Sequence, residues 1–475
     1  MADEPALSLV DQAVGAADAV ASEWAASTAQ TRASLLRGLA TGLEEARDEL
    51  VALADEETHL GAGRLNGELA RTAFQLRGFA DHVLAGAPFA FVDDPAVPGP
   101  PPAGRPHLTR VRVPVGPVAV FSASNFPFAF SVLGGDTASA LGAGCPVVVK
   151  AHPGHPRLSR RVHAVAREVL KRQGLPAGLV GLVEGDSHAV GVRLVRDSRI
   201  AAAAFTGSVR GGLALQAEAN GRPRPIPFYG ELGSVNPVVV LPGALDQRGD
   251  ELARLLAQSI TLGSGQFCTS PGVIVVFDGP AGERFVASLA SALRGQEMHP
   301  MLTPTIRAGF ESGVERVSKS KGIEVLLPAA SSQGPVPAPF LARTDASTFV
   351  AQEGLREEVF GPSAVVVRVG SVEDVGSVLR AVGGSLTVTI WGAEGPGPDS
   401  ERVVRAAAQV AGRVLFGGVP TGVAVTGAQQ HGGPFPSSTQ PFTTSVGYAS
   451  LDRFLRPVAL QDAPPWILER GGRPV

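Results

Sequence analysis

Cysteine is scarce in this chain, since only Cys145 and Cys268 occur among 475 residues. Two cysteines cannot form a disulfide framework, and their scarcity fits a reducing compartment. The N-terminus also lacks the basic, continuously apolar segment of a secretory signal, because Asp11, Asp18 and Glu23 interrupt it. No apolar run reaches the roughly 20 residues that span a bilayer. We therefore expect a cytoplasmic protein that is not inserted in a membrane.

The chain also lacks a large excess of either positive or negative charge. Lys plus Arg total 41 against 44 Asp plus Glu, which gives a formal net charge of -3. No global field therefore favours nucleic acid or an anionic membrane as a partner, and we expect a small-molecule ligand. Apolar residues make up 44% of the chain and charged residues 18%, which argues against disorder. Because domains usually run to roughly 100 to 200 residues, two or three packed units are expected.

The hydrophobic pattern changes along the chain. Residues 6–86 have the Ala-rich amphipathic periodicity of successive helices, and a proline-rich stretch at 94–106 interrupts it. From Thr109 onward apolar strands alternate with helices, which indicates parallel α/β architecture. We predict strands at 118–121, 146–149, 179–183, 201–205, 237–241, 273–277, 365–369 and 387–391, and helices at 133–142, 158–173, 251–262 and 372–382.

Polar or small residues follow three of these strands, namely Asn125, Lys150 and Gly207. Ligands of open α/β sheets bind beyond the carboxyl ends of the strands. We therefore expect these three positions to converge on one site. A Gly-, Pro-, Ser- and Thr-rich stretch at 417–444 is predicted to be an ordered loop beside a site, with a mobile loop as the alternative.

Cys268 lies in the sequence GQFCTSP, residues 265–271. Its small neighbours would let a substrate approach, an ionised thiol is a strong nucleophile, and an adjacent backbone N–H can stabilise an oxyanion. The alternative is an inert buried thiol, since free cysteines are among the most buried residues. For Cys145, which precedes an apolar strand without polar neighbours, the structural interpretation is favoured.

Glu231 and Asn125 are candidates for proton transfer and charge stabilisation. Glu231 lies in FYGELGS, residues 228–234, among apolar residues and glycines. If it is buried, its pKa should rise and suit it to accept a proton from water. A solvated turn glutamate is the alternative. The Asn125 side chain offers an N–H for an oxyanion at a strand end, although an isolated asparagine is more often a turn residue.

The sequence GSVRGG at residues 207–212 follows a predicted strand and opens a helix, where free amides and the helix dipole attract phosphate. An ordinary tight turn is the alternative, because the full dinucleotide fingerprint is lacking. His152 and His155 have no accompanying ligands at zinc spacing, and Pro153 and Pro156 prevent a helix that would align them. We predict no metal.

Taken together and in order, these motifs resemble the aldehyde dehydrogenase superfamily over residues 6–457. They are NFP at 125–127, the lysine at 150, FTGS at 205–208, ELG at 231–233, GQFCT at 265–269 and EEVFGP at 357–362. The resemblance implies an α/β aldehyde dehydrogenase fold in three parts. These are a Rossmann-like cofactor-binding domain with a helical lead-in (1–94 and 115–232), an α/β catalytic domain (233–438) and a small β oligomerisation element (95–114 and 439–475).

The resemblance also implies oxidation of an aldehyde to a carboxylic acid through a thiohemiacetal and a thioester. Cys268 would be the nucleophile, Asn125 the oxyanion donor and Glu231 the base that activates water. The implied cofactor-binding residues are Lys150, Gly207, Ser208, Gly212, Glu358 and Phe360. A homodimer or homotetramer is implied as well. An acylating dehydrogenase, a phosphate-linked reductase and a catalytically inactive structural or ligand-binding paralogue are the competing interpretations.

Residues 122–131, 134–141, 150–153 and 431–436 resemble a narrower branch of this superfamily. That branch contains 2-oxoglutarate semialdehyde dehydrogenases and an NADP-dependent enzyme for long-chain aldehydes, so the implied substrate is 2-oxoglutarate semialdehyde or a medium- or long-chain aliphatic aldehyde. Pro153 stands three residues past Lys150, where NAD-preferring members carry a glutamate that binds the adenosine ribose. Repulsion of a 2′-phosphate is therefore absent, and we expect NADP as cofactor, with NAD possible.

Overall fold

The computed structural model describes residues 4–329 and 334–468, which form an α/β protein with three sheets. The helices are α1 Glu4–Ala26, α2 Ala29–Glu45, α3 Arg47–Thr58, α4 Ala62–Leu84, α5 Gly135–Ala143, α6 Pro156–Arg172, α7 His188–Arg196, α8 Val209–Asn220, α9 Pro242–Thr261, α10 Pro280–Arg294, α11 Pro304–Lys319, α12 Ala346–Ala351, α13 Val372–Val382, α14 Pro398–Val410 and α15 Pro465–Leu468. The strands are β1 Val92–Asp94, β2 Leu108–Pro114, β3 Val118–Phe121, β4 Val147–Lys150, β5 Val180–Val183, β6 Ala202–Thr206, β7 Phe228–Glu231, β8 Val238–Val240, β9 Val273–Phe277, β10 Glu324–Leu327, β11 Phe340–Asp345, β12 Ser363–Val369, β13 Ser385–Trp391, β14 Ala411–Leu415 and β15 Leu455–Gln461.

The first sheet has five parallel strands in the order β5-β4-β3-β6-β7. Val118 of β3 lies opposite Val147 of β4 on one side and Ala202 of β6 on the other. The carboxyl ends of β4, β3 and β6 therefore share one edge of the sheet. The prediction that Lys150, the loop after β3 and Gly207 follow neighbouring strand ends is therefore confirmed.

The helical N-terminal region is also confirmed, because α1 to α4 cover Glu4–Leu84. Helix α2 packs against α4 and α6, and α1 packs against α7 and β5. The apolar faces of α2, α4 and α6 share one core with one face of the five-stranded sheet. The amphipathic pattern of this region thus buries its apolar stripe against the sheet.

The second sheet has seven strands in the order β10-β11-β12-β9-β8-β13-β14. All pairs are parallel except β10 with β11. The central strands β8, β9, β12 and β13 are almost wholly buried, as expected where helices cover both faces of a parallel sheet. Their continuous apolar runs are the strands that the sequence predicted.

Helix α9 starts earlier than the predicted helix at 251–262. It begins at Pro242, and Arg248 inside it has non-helical dihedral angles of φ -137° and ψ 15°. Proline is favoured in the first turn of a helix because its missing N–H has no intrahelical partner there. The interruption at Arg248 explains why the helical periodicity of the sequence is clear only in the second half of α9.

The third sheet is antiparallel, in the order β1-β2-β15, and joins two distant parts of the chain. Its seven register pairs between β2 and β15 run from Leu455 opposite Pro114 to Gln461 opposite Leu108. The proline-rich stretch before β2 contains only an isolated bridge between Val97 and Arg105. Residues 469–475 of the predicted C-terminal element and 1–3 of the predicted lead-in lie outside the described residues.

A buried ion pair fixes the chain before β15 against the helix that follows the β3 loop. Arg453 donates to Asp136 of α5 over 2.6 Å, and the two side chains are only 2% and 11% exposed. Removing one partner of a buried pair leaves the other charge without compensation in a poorly solvating environment. This contact therefore holds the third sheet in place relative to the first.

We expect Asp136→Ala to destabilise the protein by about 3 kcal/mol, because the Arg453 guanidinium would stay buried without its carboxylate. The midpoint of thermal or urea unfolding measures this change. Glu373→Ala is the matched control, since it removes the exposed pair between Glu373 and Arg402 and should leave the midpoint unchanged. Equal midpoints for the two variants would contradict the role given to the buried pair.

Candidate active site

The loop that carries Cys268 is a tight turn with unusual backbone angles. Gly263, Ser264 and Gly265 all have positive φ, at 59°, 55° and 71°. A side chain on Gly265 would place its Cβ 2.2 Å from the carbonyl carbon of Gly361. Only glycine fits such a position. The turn thus lets the Cys268 loop pack directly on the segment at residues 357–362.

Asn236 holds the other side of this loop. Its Nδ2 donates to the carbonyl oxygens of Cys268 and Ser270, over 2.8 and 3.0 Å. Its Oδ1 accepts from the Ser234 hydroxyl over 2.8 Å and from the Thr387 backbone N–H over 3.3 Å. Buried amide groups of this kind rigidify a site when their bonds are satisfied. The position of Cys268 is therefore fixed by Asn236, two residues before β8, which is itself held by Thr387 of β13.

Cys268 is half-buried as a residue, and its thiol lies beside a histidine. Its Sγ is 3.6 Å from Nε2 of His431. Burial, followed by the nearby carboxylates of Glu231 and Glu358, raises the pKa of Cys268 well above its usual value. A neutral thiol is a poor nucleophile, so this one needs a neighbouring base. Cys145 is fully buried, and its pKa is raised to about 11 by desolvation, in agreement with its structural interpretation.

Glu231 is the last residue of β7 and does not lie in a solvated turn. Its side chain is only 2% exposed. Oε1 accepts from His431 Nε2 over 2.9 Å, and Oε2 accepts a hydrogen bond from the Ser445 hydroxyl. The sequence-based expectation of a raised pKa is wrong. Burial does raise the pKa of Glu231, but the His431 charge and the hydrogen bonds from His431, Ser445 and Cys268 outweigh it and lower the pKa.

His431 and Ser445 belong to a segment that is attached to β7 by backbone hydrogen bonds. Leu232 N–H donates to Ser437 over 2.8 Å, and Thr439 N–H donates to Gly230 over 3.0 Å. These bonds extend the edge of the five-stranded sheet and bring the segment over Glu231. The stretch at residues 417–444 therefore lies beside the site, as predicted.

Sequence reasoning assigned no role to His431 or Ser445. Both contact Glu231 across separations of 200 and 214 residues. Each is an ordinary polar residue in a glycine-rich loop, and its partner is not visible in the local pattern. A histidine next to two glycines within the resembling segment 431–436 was the available signal.

Asn125 is buried and lies next to the Cys268 loop. Its Nδ2 donates to the carbonyl oxygen of Gln266 over 3.0 Å, and its own carbonyl accepts from Arg64 over 2.6 Å. An amide group has two N–H donors. One is used by Gln266, so the second can stabilise negative charge that develops close to the thiol.

The predicted cofactor residues lie at the edge of the five-stranded sheet. Ser208 caps α8, and its hydroxyl accepts from the Gly211 N–H over 3.2 Å. A side chain on Gly212 would come within 2.2 Å of Leu232 Cδ2, so α8 packs closely on the strand end. Lys150 ends β4, is half-buried, and donates to the Ala151 carbonyl over 2.7 Å. A helix N-terminus and a lysine at the carboxyl edge of the same sheet suit a pyrophosphate and a ribose.

Glu358 reaches the chain that follows β7. Its Oε1 accepts from the Ser234 N–H over 3.3 Å, and burial raises its pKa to about 7. Glu358 and Phe360 line a cavity together with Phe267, next to Cys268. The structure thus brings the last predicted motif to the nucleophile loop.

Glu231, Cys268 and His431 also have the donor types that a metal ion accepts, and the three ligand atoms lie within 4.8 Å of one another. The absence of a metal stays a prediction. Their mutual hydrogen bonds explain this proximity without one.

Comparison with known proteins defines the class. Residues 5–455 match the model of the aldehyde dehydrogenase family, and the chain belongs to this family. It is an aldehyde dehydrogenase, an enzyme that oxidises aldehydes with NAD(P). Two similar proteins are alpha-ketoglutaric semialdehyde dehydrogenases. The one from Azospirillum brasilense is 43% identical over 448 residues, 93% of this chain and 85% of that protein. The one from Acinetobacter baylyi is 39% identical over 464 residues, 97% and 87%.

The fold agrees with this assignment. Lactaldehyde dehydrogenase from Escherichia coli has a TM-score of 0.81 at 22% identity, over 96% of this chain and 91% of that one. The predicted α/β aldehyde dehydrogenase fold is therefore confirmed. In the part of the chain that the structure describes, no helix is long and apolar enough to cross a membrane.

We expect His431→Asn to lower kcat/KM for aldehydes by about 100-fold at neutral pH, because a positioned proton acceptor contributes at least this much. The raised pKa of Cys268 then sets the pH dependence. Thiolate is scarce below that pKa and increases as pH rises, so the activity of the variant should climb toward alkaline pH more steeply than that of the wild type.

Steady-state kinetics between pH 6 and 10 measure both effects. His59→Asn is the matched control, since His59 is exposed and has φ 54°, a conformation that asparagine tolerates. A His431→Asn enzyme with the activity and pH profile of the wild type would contradict a role for this imidazole.

Proposed function

We propose that this enzyme oxidises 2-oxoglutarate semialdehyde to 2-oxoglutarate with NADP, through a thioester on Cys268. The observation that carries the chemistry is the placement of His431 Nε2, 3.6 Å from the Cys268 thiol and 2.9 Å from the Glu231 carboxylate. The substrate is supported by the two relatives described above, which are named for alpha-ketoglutaric semialdehyde, the same compound.

The first step activates the thiol. In the resting pair, His431 Nε2 carries the proton that it donates to Glu231. This proton moves to the carboxylate, the S–H bond of Cys268 breaks, and the vacated Nε2 takes the thiol proton. The imidazolium then faces the thiolate and compensates its charge. A buried ion is tolerated when such a partner is close. The thiolate then attacks the aldehyde carbon.

The tetrahedral oxyanion forms beside Asn125, whose free amide N–H and the backbone N–H of Cys268 stabilise it. When bound, the nicotinamide cofactor accepts a hydride from the former aldehyde carbon. The C–S bond remains, and the substrate is left as a thioester on Cys268.

Hydrolysis of the thioester requires a base. Glu231 now holds the proton that it received from His431 and cannot act as a base until it loses it. We infer that Glu231 releases this proton to solvent before water attacks, because the His431 charge lowers the pKa of Glu231. The Glu231 carboxylate then accepts one proton from water, hydroxide attacks the thioester carbon, and the departing Cys268 thiolate takes that proton back. The products are the carboxylic acid and one released proton.

The cofactor-binding residues fit a dinucleotide. Gly207, Ser208 and Gly212 surround the N-terminus of α8, where free amides would hold a pyrophosphate. Lys150 would bind the adenosine ribose and Glu358 the nicotinamide ribose, with Phe360 beside it. Pro153 is exposed in the turn after β4 and carries no charge, so a 2′-phosphate meets no repulsion there. Arg157, an arginine near this turn that could pair with a 2′-phosphate, already pairs with Glu56 over 3.0 Å.

We also assign functions to the three parts of the chain. Residues 1–94 and 115–232, with the five-stranded sheet, would bind the cofactor. Residues 233–438, with the seven-stranded sheet, would carry out the reaction. Residues 95–114 and 439–475, which contribute β2 and β15 of the antiparallel sheet, would join subunits in a homodimer or homotetramer.

Glu231→Gln should stop the reaction at the thioester. We expect one equivalent of reduced cofactor per active site and almost no further turnover, because the amide cannot accept a proton from water. Stopped-flow absorbance measures the burst, and intact-protein mass spectrometry detects the acylated Cys268. Cys268→Ala should show no burst. Glu218→Gln is the control at an exposed ion pair, and steady turnover of Glu231→Gln near the wild-type rate would refute the role in deacylation.

The cofactor preference can be tested at Pro153. We expect a higher kcat/KM with NADP than with NAD for the wild type. Pro153→Glu should reduce the NADP value by about 10-fold or more, because two negative charges would meet, and should spare NAD. The preference is measured as kcat/KM with NADP and with NAD, side by side, for the wild type and for Pro153→Glu. Equal or better efficiency of the wild type with NAD would overturn the proposed preference.

A further inference from the structure

Three arginine side chains close to the active site are incompletely paired. Arg64 and Arg71 lie on α4, and Arg413 lies on β14. Arg64 Nη1, Arg71 Nη1 and Arg413 Nε are buried and have no hydrogen-bond partner among the described residues. Buried N–H groups and charges are costly when they stay unpaired, so such a cluster calls for an explanation.

Arg64 is in contact with the catalytic loops themselves. Its guanidinium lies over the ring of Phe267, 4.8 Å from the centroid, and over Phe126 at 5.3 Å. It donates to the carbonyl oxygen of Asn125 over 2.6 Å. Arg64 therefore positions the two loops that carry Asn125 and Cys268. Residues seven apart lie on the same face of a helix. Arg71 therefore lies on the same face of α4 as Arg64, two turns further along the helix.

Arg71 and Arg413 converge on one short segment, residues 420–423. Arg71 lies over the Phe130 ring at 5.6 Å and donates to the Val423 carbonyl over 3.4 Å. Arg413 donates to the carbonyls of Pro420 and Gly422 over 2.8 and 3.1 Å. Carbonyl groups from one loop thus hold both guanidinium groups, and each retains an N–H without a partner.

The charge near these two arginines is not balanced. Burial lowers the pKa of Arg71 and of Arg413, and a thiolate at Cys268 would act on both in the opposite direction. Glu68 is the strongest acidic neighbour of Arg71, but burial raises the pKa of Glu68 and so weakens this compensation. Glu231 is already compensated by His431. A further anion on the same side as the thiol would balance the charge.

We propose that Arg71 and Arg413 bind the distal carboxylate of the aldehyde substrate and thereby select aldehydes that carry one. Guanidinium N–H groups form strong charge-assisted hydrogen bonds with carboxylates. An uncharged aldehyde would leave those buried groups unpaired, which disfavours it. This inference rests on the proposed substrate, whose aldehyde and carboxylate lie at opposite ends of a five-carbon chain.

The test uses two aldehydes of equal length, 5-oxopentanoate and pentanal, which differ in the terminal carboxylate. We expect the wild type to prefer 5-oxopentanoate. Arg71→Met and Arg413→Met should each lower kcat/KM for 5-oxopentanoate by about 100-fold, mainly through KM, and change that for pentanal by less than about 3-fold. Arg71→Lys should retain part of the preference because it keeps the charge.

Arg254→Met is the matched control, since Arg254 is exposed on α9. Its preference should equal that of the wild type. If the wild type prefers 5-oxopentanoate and both methionine variants keep that preference, the arginine assignment is overturned while the proposed substrate stands. A wild-type preference for pentanal overturns both. Equal losses for the two aldehydes show that the arginines are structural only.

A measurement on the wild type alone covers the case in which a variant does not fold. Glutarate should inhibit pentanal oxidation competitively, and pentanamide at the same concentration should not. The absence of inhibition by glutarate would contradict a carboxylate site in the substrate pocket.

Discussion

The buried pairing of Glu231 with His431 is the interaction on which the active site depends. A carboxylate at the end of β7 is enclosed by protein, and burial by itself would favour its neutral form. His431 and Ser445 reverse that preference by charge and hydrogen bonding. The same imidazole stands next to the Cys268 thiol. One contact therefore stabilises a buried charge, attaches the C-terminal segment to the sheet edge, and places a base beside the nucleophile.

The two large sheets meet at this contact. The five-stranded sheet contributes Glu231 and the edge where the cofactor residues lie, and the seven-stranded sheet positions Cys268 through Asn236. Parallel strands place their carboxyl ends on one side, which is why motifs from distant parts of the chain share a cleft. The glycine turn before Cys268 then allows the nucleophile loop to approach Gly361 closely. The Cys268 thiol is thereby held at fixed distances from Glu231 and His431 and from the sheet edge where the cofactor residues lie.

Most of the sheet architecture was predictable from hydrophobic periodicity. Strands β3, β4, β5, β6, β9, β12 and β13 and helices α6 and α13 lie at or within two residues of their predicted positions. Strands β3, β9, β12 and β13 are short apolar runs that are almost wholly buried, and α6 and α13 have an apolar stripe with the helical period. No prediction was made for β7, β10, β11 and β14 of the two large sheets. Of these, β7, β10 and β14 lie at sheet edges, and β10 and β14 have mixed exposure. Edge strands bury less apolar surface, and their pattern is correspondingly weak.

The sequence alone determined the fold class, the order of motifs and the choice of Cys268, Glu231 and Asn125 as candidates, because these depend on residue type and on local spacing. Only the tertiary structure decided the electrostatics. His431 and Ser445 lower the pKa of Glu231, which burial alone would raise. Both partners lie about two hundred residues further along the chain, so the local sequence around Glu231 does not show them. The arginines at positions 71 and 413 likewise approach one loop only in the folded chain. Local patterns record what a residue can do, and the charge around it is set by neighbours that folding alone brings together.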